Sequence, residues 1–135
     1  MTEPAIQAAA HLGASPYVTS LSAGNFSLLA DEPLDKGGTN AGPTPQTLLC
    51  MSLAACTIIT LRMYAERKQW NLGELHCDVQ LITNEDGTRW FNRTISASIH
   101  VDTPIIQRLL MVADKCPVHK LLTNQHNIQT TWPVS

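Results

Sequence analysis

The stretch PQTLLCMSLAACTIITLRMYAERK, residues 45–68, limits what this chain can fold into more than any other. Thr44, just before it, offers a hydroxyl to the free backbone N–H groups as an N-cap. Pro45 brings a helical φ to the first helical position, where its missing N–H costs nothing. Together they predict one helix from Pro45 to about Lys68, about 35 Å long at a rise of about 1.5 Å per residue. Through LLCMSLAACTIITL that helix is apolar on every face, so it is expected at the centre of a core. Its longest apolar run, residues 47–61, contains Ser and Thr and falls short of the roughly 20 residues a membrane span needs. A buried helix, and no membrane partner, is the expectation.

Composition narrows the partners further. A chain of 135 residues fits one domain, residues 1–135, and is small enough for a second copy to enlarge its core. Hydrophobic residues make up 44% and charged residues only 15%, which points to surface hidden against another subunit. A net charge of -2 offers no basic field for a phosphate backbone, so no nucleic-acid partner is expected. The opening MTEPAIQAAAHLGAS lacks a basic segment followed by a long apolar one. A cytoplasmic protein is therefore expected. In a reducing compartment Cys50, Cys56, Cys77 and Cys116 point to catalysis, metal binding or burial rather than a disulfide scaffold.

Along the chain, β-friendly residues flank Ala23-Gly24-Asn25, predicting a hairpin over roughly residues 17–30. The Gly- and Pro-rich DEPLDKGGTNAGPTP should be an ordered loop leading into the long helix. A second hairpin follows. Leu75, Cys77, Val79 and Leu81 alternate with polar residues, NEDG turns the chain, and Phe91, Ile95, Ala97, Ile99 and Val101 share one face on the return. Arg93 interrupts that face. Asp102 or Thr103 then caps a helix that carries Ile105, Ile106, Leu109, Leu110 and Val112 inward and ends near Cys116, before Pro117. PVHKLL reads as a short further helix, and the alternation of Ile128, Thr130 and Trp132 as a last strand. The class is α+β.

The four cysteines differ in what surrounds them. Cys77, among aliphatic strand neighbours, reads as a small core hydrophobe. Cys50 lies about 600° around the helix from Cys56, on a different side, and reads as packing. For Cys56 two readings stand, a buried structural thiol or a reactive one on a face of small residues. If Pro117 opens a helix, Cys116 is its N-cap, where orphan N–H groups favour a thiolate, with Lys115, His119 and Lys120 close by. The alternative is a cysteine that merely punctuates a helix end. Cys116-x-x-His119 with Cys56 names three ligands where zinc takes four, so no metal is expected. His76 and His100 should face solvent, and Trp70, Trp90 and Trp132 should pack. No phosphate-cradling glycine loop occurs, so no nucleotide or other cofactor is expected.

DEPLDKGGTNAGPTPQTLLCMSLAACTIITLRMYAERKQW, followed some 60 positions after Cys56 by ADKCPVHKLL, resembles the OsmC/Ohr family of thiol-dependent, peroxide-handling proteins, especially its OsmC-like branch. The resemblance covers roughly residues 17–132. It implies an OsmC-like fold in which two chains intertwine as a homodimer, with long helices side by side and antiparallel sheets wrapped outside. It also implies a peroxiredoxin-like thiol peroxidase, with Cys56 attacking an organic or hydrogen peroxide and Cys116 resolving the sulfenic acid as a disulfide. An external thiol or dithiol reductant would restore both thiols. Family members pair a glutamate ten residues before the first cysteine with an arginine from the amino-terminal hairpin. Here that position is Gln46, and the first arginine is Arg62, pointing away from Cys56. Gln46, His119 and Lys115 are left as the candidate supporting groups. A non-catalytic stress-response or small-molecule-binding member of the fold is the alternative.

Overall fold

The helix expected from Thr44 and Pro45 spans Pro45–Lys68 (α1) in the computed structural model, which describes residues 3–133. The cap is formed as the residue types require: Thr44 Oγ1 accepts the Thr47 N–H at 3.1 Å. The chain divides into two compact units, one running to Leu49 and the other beginning at Cys50.

The first unit is a three-stranded antiparallel sheet in the order β1 (Ala9–Leu12), β2 (Thr19–Ala23), β3 (Phe26–Ala30). The β2–β3 hairpin is the expected one, closed by Gly24 and Asn25 with Gly24 at a φ of +57°. Strand β1 was not expected, because AAHL carries no β-branched or aromatic residue; it forms by pairing with β2, Leu12 opposite Thr19. Residues 31–44 make an ordered loop pinned by one carboxylate. Asp31, buried, accepts from the Glu32, Thr39 and Ala41 backbone N–H groups and from the Thr39 hydroxyl at 2.6–3.1 Å. The Thr39 hydroxyl and the Ala41 N–H hold its pKa at about 2. Gly42 is needed because a Cβ there would meet the Leu29 carbonyl oxygen at 2.2 Å.

In the second unit, β4 (Leu75–Thr83) and β5 (Arg89–Ala97) pair antiparallel, Leu75 opposite Ala97 and Thr83 opposite Arg89. Helices α2 (Thr103–Ala113) and α3 (Pro117–Thr123) follow. Leu61 and Ala65 of α1, Leu72, and Leu109, Val112 and Ala113 of α2 form the core, with Leu75, Ile95 and Trp70 packed against it. The mixed α+β class is as expected.

Four expectations need correcting. Helix α1 is not buried on every side: Leu53, Thr57, Leu61 and Ala65, one residue per turn, make its buried stripe, while Met51, Ile59 and Met63 are exposed. Among the described residues α1 is the one helix long and apolar enough to cross a membrane by length and composition, although its stripe belongs to the core. Helix α2 stops at Ala113 rather than near Cys116, because i→i+3 bonds from Lys115 N to Val112 O (2.9 Å) and Cys116 N to Ala113 O (3.3 Å) tighten the chain into a turn. No strand follows α3 among the described residues, and Ile128 and Trp132 are exposed, so the alternating pattern there finds no partner and Trp132 does not pack. Trp90 is also exposed, whereas Trp70 packs edge-on against Tyr64. His76 and His100 face solvent as expected, beside Asp78 and Asp102.

Candidate functional site

Cys56 lies on α1, one residue before Thr57 of the buried stripe, and Cys116 sits in the turn between α2 and α3. Their thiols adjoin in the second unit. The Cys56 thiol feels the neighbouring Cys116 thiol, the Val118 backbone N–H and the Thr60 hydroxyl. Burial is the main influence on Cys56 and pushes its pKa up. The Val118 N–H and the Thr60 hydroxyl act in the opposite direction, while the neighbouring Cys116 adds to the rise.

Cys116 is fully buried. Its backbone takes the extended conformation that a residue before proline adopts (φ -65°, ψ 141°), and its sulfur caps α3 by accepting the His119 N–H at 3.3 Å. The N-cap position expected for Cys116 is therefore the one it occupies. Of the other thiols, Cys50 and Cys77 are half-buried. Burial raises the Cys77 pKa, with the positive charge of Arg93 working against the rise.

Arg93, visible in the sequence only as a break in the apolar face of β5, was assigned no role there. The β5 alternation continues through it, so its side chain lies on the inner face with Phe91 and Ile95, and only 14% of it is exposed. A guanidinium there must find acceptors for its donors. Nη1 donates to Thr57 Oγ1 at 3.1 Å and to the Ala113 carbonyl at 3.4 Å. Nη2 donates to Asp114 Oδ1 at 2.9 Å and reaches His119 Nδ1 at 3.2 Å. The interruption of an apolar face by one arginine was the available signal. Nothing local identified its partners.

The proposed supporting residues divide. His119 is part of this network and half-buried. Lys115 is exposed; its charge is felt at the Tyr64 phenol, whose pKa is lowered chiefly by the hydrogen bond from Arg108. Gln46 is exposed in the first turn of α1, within the first unit. Arg62 donates to the Gly73 carbonyl at 2.6 Å. Among the described residues no three His, Cys, Asp or Glu side chains cluster as metal ligands. Beside the Arg93 network is a cavity of about 500 Å³ with apolar walls from Trp90, Phe91, Ile95, Leu110 and Leu122 and a polar edge of Arg93, Asp114 and His119.

A family model described as OsmC-like protein matches residues 38–131, the segment that carries both thiols and the Arg93 network. The chain belongs to the OsmC family. An osmotic stress induced and detoxification response protein, as it is described, from Psychrobacter arcticus 273-4 shares the fold at a TM-score of 0.74 and 20% identity, with 90% of each chain covered. The Legionella pneumophila organic hydroperoxide resistance protein OsmC superposes at a TM-score of 0.62 and 21% identity, covering 91% of this chain and 92% of that one. OhrB of Bacillus subtilis, an organic hydroperoxide resistance protein, gives 0.58 at 22% identity over 87% and 89%. No curated protein is significantly similar in sequence. In this chain Arg93 Nη2 and Asp114 Oδ1, two positions before Cys116 in sequence, form an ion pair at 2.9 Å.

Proposed function

We propose that this protein is a thiol-dependent hydroperoxide reductase in which Cys56 is the attacking thiol and Cys116 the resolving one. The observation that carries the reading is the adjacency of these two thiols, 60 positions apart in sequence. Membership of the OsmC family and likeness to organic hydroperoxide resistance proteins support it. The Cys56 thiolate attacks one oxygen of the peroxide; an S–O bond forms, the O–O bond breaks, and the alkoxide leaves and takes up a proton as an alcohol. Cys116, as thiolate, then attacks the Cys56 sulfur; the disulfide forms and the hydroxide leaves as water once protonated. An external thiol or dithiol returns the pair to its reduced state by exchange. Sulfur is its own redox centre here, and the chemistry calls for no cofactor.

Because burial raises the Cys56 pKa, the resting group is the thiol, and the first step is limited by thiolate supply. That same rise favours a second reading, a non-catalytic member that binds an apolar small molecule in the cavity beside Arg93. One experiment separates the two. Addition of a slight excess of cumene hydroperoxide, followed by a free-thiol count, should remove two thiols and yield a Cys56–Cys116 peptide on digestion. Unchanged thiols would support the second reading, and a C56S variant that consumes peroxide at the parent rate would remove Cys56 from the mechanism.

The working form, in this reading, is a cytoplasmic homodimer built from one OsmC-like domain per chain. Within the second unit Met51, Ile59 and Met63 leave an apolar face of α1 uncovered, and within the first the sheet exposes Leu12, Phe26, Leu28 and Leu29. Exposed apolar surface of this extent marks an interaction site in soluble proteins.

A further inference from the structure

We propose that Arg93 is the positioning residue of the thiol pair, a role that rests on the pairing of Cys56 with Cys116 proposed above. Its inner-face neighbours on the hairpin, Cys77, Val79, Phe91 and Ile95, are apolar or nearly so, and a cation among them is costly to bury without partners. Every partner Arg93 has found belongs to a segment that carries a thiol or leads into one. Thr57 follows Cys56 on α1; Ala113 and Asp114 open the turn that holds Cys116; His119 is the residue whose N–H caps the Cys116 sulfur. One planar fork thus ties the helix of the first thiol to both sides of the turn of the second. Arginine suits this because its donors are fixed in a plane and delivered to several acceptors at once, which the single point charge of lysine cannot reproduce.

The consequence is a property of the dithiol itself, independent of any peroxide. Closing the disulfide takes two electrons and two protons from the two thiols. With glutathione disulfide as the oxidant these appear as two molecules of glutathione. The equilibrium for that exchange measures how well the chain holds the sulfurs together, and misplacing them by about an ångström costs on the order of tenfold to a hundredfold.

The test uses the full chain in glutathione redox buffers, with the Cys56–Cys116 disulfide quantified by peptide mass mapping and global stability measured in parallel. R93K keeps the charge and loses the fork; D114N removes the ion-pair partner and serves as the second variant should R93K fail to fold. R93K should lower the closing equilibrium about tenfold or more, a rise in reduction potential of about 30 mV, and D114N should move it in the same direction. L61A, which weakens the core without touching Arg93, should leave the equilibrium of the folded protein unchanged. Folded R93K or D114N protein that closes within about twofold of the parent overturns the proposal, as does an L61A shift as large as theirs. A parent chain that forms no Cys56–Cys116 disulfide in any buffer overturns the pairing and this role with it. A parent that closes with glutathione disulfide but ignores peroxide overturns the peroxidase reading alone.

Discussion

Replacing Thr57 by valine tests whether the Arg93 network carries energy. Thr57 is fully buried; its hydroxyl donates to the Leu53 carbonyl at 2.7 Å and accepts from Arg93 Nη1 at 3.1 Å. Valine keeps the shape and removes the acceptor. A hydrogen bond from a charged donor contributes about 1.5–3 kcal/mol, and burying the new methyl returns about 0.8 kcal/mol. The Ala113 carbonyl, at 3.4 Å, is a poor substitute, and the low exposure of Arg93 restricts replacement by water. T57V should therefore cost about 1–2 kcal/mol. In an R93M background the donor is gone, and the same valine should be neutral or stabilising. The coupling energy of the T57V and R93M cycle is then expected at about 1–3 kcal/mol, from denaturant unfolding followed by tryptophan fluorescence at one protein concentration. Additivity within about 0.5 kcal/mol would refute the network as an energetic unit.

Three further outcomes are expected. Alkylation of Cys56, tracked by peptide mass, should still be accelerating at pH values above the ordinary thiol range, and an early plateau would contradict the effect of burial on this thiol. The proton that the folded state retains on Cys56 contributes stability below the unfolded thiol pKa and is lost as pH rises through the folded one. Asp31 works in the opposite sense: with a folded pKa of about 2 against the ordinary 3.8, its stabilisation of the 31–44 loop is complete above pH 4 and is lost between there and pH 2. Amide exchange at Thr39 and Ala41 should rise over that interval in the parent, relative to the pH trend of unstructured amides, and be already fast in D31N. On α1, M63D places a charge on the uncovered apolar face and should convert the proposed dimer to monomer by light scattering; a parent that is already monomeric, or a dimer whose mass M63D leaves unchanged, would refute this face as the subunit contact.

What could be read from the sequence was what neighbours in the chain decide. The start of α1 followed from a threonine and a proline side by side, and the β2–β3 hairpin from Gly24 in its turn. The Cys116 cap followed from the proline after it, which forces an extended residue and opens a helix. Where a local pattern needed a distant partner, it misled in both directions. Residues 128–132 alternate like a strand and find no partner strand among the described residues, while residues 9–12 do not look like a strand and are one, because β2 offers its edge.

The site shows the same division more sharply. The residue types for thiol chemistry were visible in Cys56, Cys116 and His119, and so was the OsmC resemblance. The position of the charge was not. Arg93 finds Thr57 across 36 residues, Asp114 across 21 and His119 across 26, contacts that exist only once the hairpin, α1 and the α2–α3 turn have packed. Sequence by itself determined most of the elements and the candidate sulfurs, since backbone caps and side-chain alternation act over a few residues. Only the tertiary structure decided that the two thiols meet and that one buried guanidinium, obliged to satisfy its donors, binds together the segments that carry them.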